Sequence, residues 1–280
     1  MRQIRTTELR AEDMYSGDHW SIARSIPNDS ARRNLAVRLW ICSAGYGLIS
    51  PDTLIKPYRA TFSKGQDDYV AVGLMLDDPE RASRQWWDRV CSSALHHPIG
   101  PRSIAELAEQ FGNVPMLVVM SADYLLAIRD DLRRTVSLPY FKTHLSIISS
   151  GTPSDHPLWR DHLLPSGADL AGTVGGTLTS LNIRVARRLL EKLDAAEPDT
   201  ETFSRLCRSI KRKPYDIPQR REMTDQQIAD FVKSSLRKHP GISRTPLLAV
   251  LRHSGRACEQ SRFGRIYSSV VTAERRSVYD

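Results

Sequence analysis

The sequence predicts an α/β fold, a mostly parallel sheet with flanking helices, followed by a small C-terminal helical domain of helix-turn-helix type. Two observations support this. Apolar strand patterns alternate with helical patterns over the first two-thirds of the chain, which favours a parallel sheet. Basic residues then concentrate near the end of the 280-residue chain. We therefore predict an α/β domain over residues 1–207 and a basic helical domain over residues 208–280.

Composition excludes several other classes. Hydrophobic residues make up 40% and charged residues 26% of the chain, which is close to the globular norm. The sequence contains no apolar run of the ~18–20 residues that a membrane span needs, and its first residues lack a signal-peptide pattern. The four cysteines form no CxxC pair. We therefore expect a reduced, cytoplasmic protein with no membrane contact, no structural metal and no cofactor.

Three apolar runs are the predicted strands: Leu35–Cys42, Val114–Met120 and Leu145–Ile148. Each is followed by a turn rich in Ser or Gly. Ligands bind beyond the carboxyl ends of parallel strands, where small residues allow the backbone to approach them closely. Five residues of these turns are the predicted substrate contacts: Ser43, Gly45, Ser121, Asp123 and Tyr124.

Helical patterns lie around these strands. Apolar spacing predicts helices over residues 80–95, 103–111, 122–134 and 179–193. Two polar, proline-containing segments, 194–202 and 211–219, are the predicted linkers between the domains.

A glycine-rich loop precedes the last of these helices. Free backbone N–H groups at such a helix start can hold an anion, which makes Gly175, Thr177, Asn182 and Arg184 candidate substrate contacts. The loop has no Lys-Ser/Thr after its glycines, so it is not a nucleotide-binding P-loop. A capped helix with a solvated basic face is the alternative interpretation.

The last part of the chain predicts three helices. Thr224 with Gln227 forms a capping box, and Pro240-Gly241 ends that helix. A second helix is expected after Ser243, and a third from about Ala257 to Val271. A turn containing Gly before a basic third helix is the outline of a helix-turn-helix, although many small helical bundles share it.

Charge is distributed unevenly along the sequence. Residues 208–280 carry a net charge of +9, and residues 1–207 carry −1. Such asymmetry favours a nucleic-acid partner. The predicted DNA contacts are Arg244, Arg256, Arg262 and Arg265. A solvated basic surface, or one that binds a partner protein, is the alternative.

The segment Ser43-Ala-Gly-Tyr-Gly-Leu-Ile, followed by Asp52 and by Ile55-Lys-Pro-Tyr58, resembles the YaaA family of peroxide-stress proteins. Tyr15-Ser-Gly is also similar to that group. Within it, the chain looks most like the DpdC-like proteins of bacterial 7-deazaguanine DNA-modification systems. The resemblance covers Tyr15 to about Leu190 and implies a YaaA-like fold.

The resemblance also implies a function: hydration of the nitrile of 7-cyano-7-deazaguanine in DNA, which gives 7-amido-7-deazaguanine. The implied partners are DNA containing 7-cyano-7-deazaguanine and other proteins of the same modification system. A non-enzymatic DNA-binding protein of the YaaA oxidative-stress type is the alternative, and a small-molecule enzyme is a third hypothesis.

Nitrile hydration without a metal needs a nucleophile and an acid supplied by the protein. Asp52 is a candidate general base, Tyr46 and Tyr58 are candidate proton donors, and Cys42 is a candidate nucleophile. Structural roles compete with each assignment. Asp52 is also a typical turn residue after Pro51, Tyr58 a packed aromatic beside Pro57, and Cys42 a small hydrophobic residue within a strand.

Overall fold

The computed structural model describes residues 7–72, 78–93, 100–153, 156–194, 197–215 and 221–276. The chain divides into two compact units, Met1–Tyr215 (unit 1) and Asp216–Asp280 (unit 2). The division falls after Tyr215 rather than after residue 207, because Cys207 and Ile210 are buried in the core of unit 1.

The described strands of unit 1 are short and pair two by two. They are β1 (Leu9–Arg10), β2 (Ile41–Ser43), β3 (Gly47–Ile49), β4 (Leu54–Ile55), β5 (Met116–Val119) and β6 (Leu145–Ile148). β5 and β6 are parallel, with Met116 opposite Leu145 and Val119 opposite Ile148. β1–β4 and β2–β3 are antiparallel. The mixed α/β class is thus confirmed, but the described residues of unit 1 form one parallel pair and two antiparallel pairs rather than a mostly parallel sheet.

Two of the three predicted strands are present, and the first is mostly absent. β6 has the predicted bounds, and β5 lies within its predicted run. The first predicted strand is mostly wrong, because regular pairing begins only at Ile41 and residues 35–40 have no strand partner among the described residues. After β2 the chain reverses direction through a tight turn, and the next strand, β3, pairs antiparallel with β2.

Ten helices of unit 1 lie within the described residues. They are α1 (Ala11–Met14), α2 (Asp18–Ala31), α3 (Pro79–Ser92), α4 (Ile104–Phe111), α5 (Ala122–Ala127), α6 (Arg129–Ser137), α7 (Phe141–His144), α8 (Ala171–Val174), α9 (Leu181–Lys192) and α10 (Thr200–Arg208). Short 3₁₀ turns, Ala168–Leu170 and Leu178–Ser180, precede α8 and α9.

One predicted helix, one predicted linker and one missed helix need correction. The predicted helix 122–134 is two helices, which meet at the buried Ile128. The segment 194–202 is not wholly a linker, because α10 begins at Thr200 and Asp199 caps it. The sequence pattern also missed α2, which carries Pro27 within it. Part of the predicted helix 80–95 lies outside the described residues.

Buried polar caps fix the start of α4 against its neighbours. The Ser103 side chain accepts a hydrogen bond from the N–H of Glu106. The fully buried carboxylate of Asp131 accepts hydrogen bonds from the backbone N–H groups of Ile104 and Ala105, at 2.7 and 3.0 Å, and from Trp87 Nε1. One side chain thereby joins α3, α4 and α6.

Two apolar clusters form the core of unit 1. One surrounds Trp87, Phe141 and Trp159, and includes one side of β5 and β6. The other joins α2, α9 and α10 through Ile22, Leu189 and Phe203. The parallel pair therefore lies between two packed layers, and only its ends are available to a ligand.

Unit 2 contains α11 (Asp225–Lys238), α12 (Arg244–His253) and α13 (Gln260–Arg276). A short parallel pair, β7 (Arg221–Glu222) with β8 (Arg256–Ala257), accompanies them. Thr224 and Gln227 form the predicted capping box. The third helix begins and ends later than predicted. The core of unit 2 surrounds the fully buried side chains of Val232, Leu251 and Phe263.

Candidate functional site

Hydroxyl groups from three separate segments meet in unit 1. Tyr58 Oη lies 2.9 Å from Tyr15 Oη and 2.8 Å from Ser43 Oγ. Ser43 is buried, whereas both tyrosines are partly exposed. Ser43 ends β2, Tyr58 follows β4, and Tyr15 follows α1. We call Tyr15, Ser43 and Tyr58 the hydroxyl cluster.

The sequence places a glycine where this cluster needs space. A Cβ atom added to Gly45 would lie 2.5 Å from the ring of Tyr58. The turn 43–47 therefore packs its bare backbone against the ring, and Trp86 Nε1 donates a hydrogen bond to the neighbouring carbonyl of Ala44 at 2.6 Å. The predicted contact residues Ser43 and Gly45 thus both adjoin Tyr58.

Burial favours the neutral form of two phenols, Tyr15 in the cluster and Tyr124 outside it. Burial, reinforced by the nearby Tyr58, raises the pKa of Tyr15 well above its ordinary value. Burial likewise raises the pKa of Tyr124, and Tyr58 adds a smaller contribution in the same direction. At neutral pH these phenols are hydrogen-bond donors and not phenolates.

Tyr46 supports the cluster from behind. Its hydroxyl donates to the carbonyl of Lys56 at 3.1 Å and accepts from the backbone N–H of Lys56 at 2.9 Å. Its ring contacts the edge of the Tyr58 ring, with 5.4 Å between centroids. Because Tyr46 is buried and holds the chain just before Tyr58, we interpret it as a positioning residue rather than a proton donor.

Cys42 does not have the environment of a reactive thiol. Burial raises its pKa to about 12, and the carboxylate of Asp131 adds to this effect. A thiol attacks as the thiolate, which is scarce at neutral pH when the pKa is raised. The geometry therefore favours the competing interpretation of Cys42 as a packed residue of β2, beside the first apolar cluster.

Asp52 lies apart from the hydroxyl cluster. Its side chain is 71% exposed and is ion-paired with Arg10. It lines an open groove of about 390 Å³ between α2, residues 37–40 and the turn 50–52. Glu12, which also lines this groove, is paired with the same arginine. The structure thus places Asp52 on a surface ion pair, not beside Tyr58.

Asn182 joins the carboxyl ends of the parallel strands. Its side-chain Nδ2 donates to the carbonyl of Met120 at 2.8 Å, and its Oδ1 accepts from the N–H of Ser150 at 2.9 Å. Met120 directly follows β5, and Ser150 lies two residues after the end of β6. The predicted contact residue therefore holds the two strand ends in register, at the edge where ligands bind in such sheets.

Residues after β5 lie at the same edge. Ser121 is exposed, and its hydroxyl caps no backbone group of α5. Asp123 accepts a hydrogen bond from the N–H of Lys64 at 3.0 Å. The Tyr124 hydroxyl lies 3.3 Å from Thr61 Oγ1. Ser121 thus offers a hydroxyl to solvent, whereas Asp123 and Tyr124 hold the loop that follows Tyr58.

The glycine-rich loop is held to the start of α2. Arg184 donates two hydrogen bonds to the carboxylate of Asp18, both at 2.9 Å, and a third to Ser180 Oγ. Gly176 has a φ of +78°, and a Cβ there would clash with Arg184 Nε. The guanidinium that the sequence assigned to an anion is therefore paired within the fold. Hydrogen bonds from Ser180 and Arg184 lower the pKa of Asp18, so the pair stays ionised.

The remaining loop residues stay accessible. Gly175 has a φ of +76° and open space around it. The hydroxyl of Thr177 lies 2.7 Å from that of Thr179. Gly175 is exposed, but its backbone N–H donates to the carbonyl of Ala171 at 2.9 Å, so this N–H is not free for the anion that the sequence predicted there.

The four predicted DNA-contacting arginines of unit 2 differ in their surroundings. Arg262 Nε donates to Asp225 at 2.7 Å, and its Nη2 donates to the carbonyl of Met223 at 2.9 Å, so it fastens α13 to the start of α11. Arg256 lies over the ring of Phe231. Arg244 and Arg265 are exposed and make no hydrogen bond or ion pair with the described residues.

Sequence reasoning missed two residues that connect these features. Tyr15 belongs to the hydroxyl cluster, and Asp18, three residues later, holds Arg184 at the glycine-rich loop. The segment 15–18 therefore joins the hydroxyl cluster to the start of α9. The Tyr15-Ser-Gly motif was a signal for this segment, but it did not show what Tyr15 contacts.

Comparisons with known proteins identify no relative, since no family model, curated protein or solved structure matches the chain. Within the described ranges, no group of three or more His, Cys, Asp or Glu side chains is arranged to hold a metal ion. In the same part of the chain, none of the helices has both the length and the apolar character to cross a membrane.

Proposed function

We propose that the protein hydrates the nitrile of 7-cyano-7-deazaguanine in DNA, giving 7-amido-7-deazaguanine. The observation that carries this proposal is the hydroxyl cluster, in which Tyr58 Oη lies within 2.9 Å of both Tyr15 and Ser43. A nitrile is a weak electrophile, and its nitrogen must gain a proton as water adds to the carbon.

The cluster can move that proton without forming a charged side chain. Water oxygen bonds to the nitrile carbon while one C–N π bond breaks, and Tyr58 donates its proton to the nitrogen. Tyr58 regains a proton from Tyr15 or Ser43, and the attacking water supplies the proton that this residue lost. The resulting imidic acid tautomerises to the amide, so the net reaction adds one water.

The raised pKa of Tyr15 suits this relay, since a neutral phenol both accepts and donates a proton. Asp52 and Cys42 have no part in it. Asp52 is paired with Arg10 at the surface, and burial holds the pKa of Cys42 at about 12.

DNA is the proposed partner because most cations that the structure describes in unit 2 have no acidic partner among the described side chains. Residues 216–280 carry twelve Lys and Arg against seven Asp and Glu, a net charge of +5. Enzymes that act on a base within a duplex must extrude it, which costs a few kcal/mol. Contacts between unit 2 and the phosphates would offset that cost.

The decisive experiment supplies the full-length protein with duplex DNA containing 7-cyano-7-deazaguanine, and analyses the digested nucleosides by mass spectrometry. We expect a mass gain of one water on the modified nucleoside. Tyr58→Phe should lower the rate about 100-fold, the lower end of the contribution of a general acid.

Tyr69→Phe is the matched control, because it removes a phenol bonded to Ser83 rather than one of the cluster. It should leave the rate unchanged. Equal rates for Tyr58→Phe and the wild type would remove the cluster from the mechanism. Unchanged nucleosides despite tight DNA binding would favour a non-enzymatic DNA-binding protein instead.

A further inference from the structure

The outer face of α13 differs from the exposed face of α11. From Gln260 to Ala273 its exposed side chains are short hydroxyls, one amide, one guanidinium and one methyl group: Gln260, Ser261, Arg265, Ser268, Ser269, Thr272 and Ala273. From Gln260 to Ala273 the helix contains no acidic residue. α11, by contrast, exposes Asp225 and Asp230 among its cations.

The acid that precedes this face is satisfied within its own turn. Glu259 accepts hydrogen bonds from the backbone N–H groups of Ser261 and Arg262, each at 2.9 Å. These bonds, with one from the Ser261 hydroxyl, lower the pKa of Glu259 to about 2. Its carboxylate therefore caps the helix, although Arg265 lies near enough to add a small effect on the same pKa.

Two arginines at this face have no acid bound to them among the described residues: Arg265 on α13 and Arg244 at the start of α12. Arg265 is exposed and makes no hydrogen bond with the described residues, whereas Arg262 on the same helix is held by Asp225 and Met223. Arg244, at the start of α12, lies against α13 where Gly264 leaves room, since a Cβ on Gly264 would lie 3.0 Å from its Nη1.

We propose that the outer face of α13, with Arg265 on it and Arg244 beside it, contacts base edges in the DNA major groove and makes binding sequence-selective. This proposal rests on the DNA substrate of the proposed function. Arg contacts guanine O6 and N7 with two hydrogen bonds, Gln pairs with adenine, and Ser or Thr bonds to either base, so this face matches base edges chemically.

The same face fits a protein partner poorly. Protein interfaces are anchored by buried aromatic or large aliphatic side chains. Among the described residues of unit 2, the large apolar side chain that is most exposed is Val250, on α12, and α13 exposes none. A polar face with free guanidinium groups instead suits the donors and acceptors that line the major groove.

Selection from a pool of unmodified duplexes with a randomised segment tests this inference. The full-length wild type should enrich a short motif that contains at least one fixed guanine. Arg265→Lys keeps the charge but cannot bond guanine with two parallel donors. It should retain total DNA affinity within about twofold and show about a tenfold weaker preference for that guanine, within the range expected for one base contact.

Arg252→Lys is the matched control. Arg252 lies on α12, its Nη2 donates to the carbonyl of Cys258 at 3.1 Å, and it is not one of the predicted DNA contacts, so this variant should enrich the wild-type motif. Thermal unfolding of each variant checks that unit 2 remains folded. A wild type that enriches no motif would overturn the inference, and so would an Arg265→Lys variant that enriches the wild-type motif unchanged.

This outcome is separable from the hydration assay, which measures product and not sequence preference. Hydration without an enriched motif would contradict the inference and leave the proposed function standing. An enriched motif without hydration would support the inference and contradict the proposed function.

Discussion

The two units use their charged side chains differently. Of the ion pairs between described side chains, Arg262–Asp225 lies in unit 2 and all the others lie in unit 1. Arg184, for example, is bound by Asp18, and Arg212 by Asp169. Unit 1 therefore uses cations to hold its own segments together, whereas unit 2 leaves most of them available to a polyanion.

The division of the sequence after residue 207 overstated the difference in net charge between the two parts of the chain. Lys211, Arg212 and Lys213 were counted with the basic domain, but they belong to unit 1. The side chains of Arg212 and Lys213 donate to Asp169 and to the carbonyl of Gly172, and the backbone carbonyl of Lys211 accepts from the Thr173 hydroxyl. With the division after Tyr215, the net charges are +3 for unit 1 and +5 for unit 2. Pairing, more than net charge, distinguishes the units.

The largest expected effect concerns the buried carboxylate of Asp131, a charged group that bonds to other segments of unit 1. Asp131→Ala removes the acceptor for Ile104 N–H, Ala105 N–H and Trp87 Nε1, and leaves these buried donors unbonded. We expect the free energy of unfolding of unit 1 to fall by about 3–5 kcal/mol, as when one partner of a buried ionic interaction is removed. Denaturant unfolding of the full chain measures this change.

Asp131→Asn is the control, because it keeps one acceptor oxygen in place and should cost less. A destabilisation below about 1 kcal/mol for Asp131→Ala would mean that water or another group replaces the carboxylate.

The next effect concerns DNA binding by the basic side chains of unit 2. Changing Lys233, Arg237 and Lys238, at the end of α11, to Gln together should weaken DNA binding about tenfold at moderate salt. The plot of log affinity against log salt should also become shallower, by about 1 for each phosphate that the protein no longer neutralises. Fluorescence anisotropy over a salt series measures both quantities.

A triple change of Arg133, Arg187 and Arg188 to Gln lowers the net charge equally, but removes cations that are already paired in unit 1. It should alter DNA binding much less. Equal weakening in the two triple variants would show that net charge, and not pairing, governs the affinity.

A smaller effect compares two arginines of α13. Arg262→Ala breaks the bonds to Asp225 and Met223 and should lower the Tm of unit 2 measurably. Arg265→Ala should leave the Tm unchanged, since its guanidinium bonds to no described residue. Calorimetry on both variants measures the difference, and the opposite ranking would reverse the roles assigned to the two side chains.

The smallest expected effect depends on pH. Bonds from Ser261 and Arg262 lower the pKa of Glu259 from 4.5 to about 2. A carboxyl group with a lowered pKa stabilises the fold above its ordinary pKa, and this contribution disappears as the pH falls from about 4.5 to about 2. The wild type should therefore exceed Glu259→Gln in Tm at pH 7, and the difference should vanish near pH 2.

A constant difference between these variants across that range would mean that the Glu259 carboxylate is not the group whose ionisation stabilises the start of α13.

Local patterns in the sequence were sufficient for several elements. The capping box at Thr224, the helix predicted over residues 103–111 and the strand Leu145–Ile148 depend on residues within a few positions of one another, so spacing alone predicts them. The same holds for the three helices of unit 2. Their bounds shifted by a few residues, because helix ends depend on tertiary packing.

Long-range contacts limited the prediction of the site. Tyr58 lies 43 positions from Tyr15, and Arg184 lies 166 from Asp18, and no local pattern links such partners. For the same reason, Asp52 and Tyr58 belong to one motif in sequence but have different neighbours in space. The hydroxyl cluster emerges only when β2, β4 and the end of α1 pack together.

The sequence by itself determined the mixed α/β class, the helical character of the C-terminal unit and the positions of its caps, because these follow from residue spacing. Tertiary structure alone decided which polar groups are used internally. It paired Arg184 and Arg262, brought Tyr15 to Tyr58 and left Arg265 exposed. The physical reason is that hydrogen bonds and ion pairs depend on distance in space, which chain position does not specify.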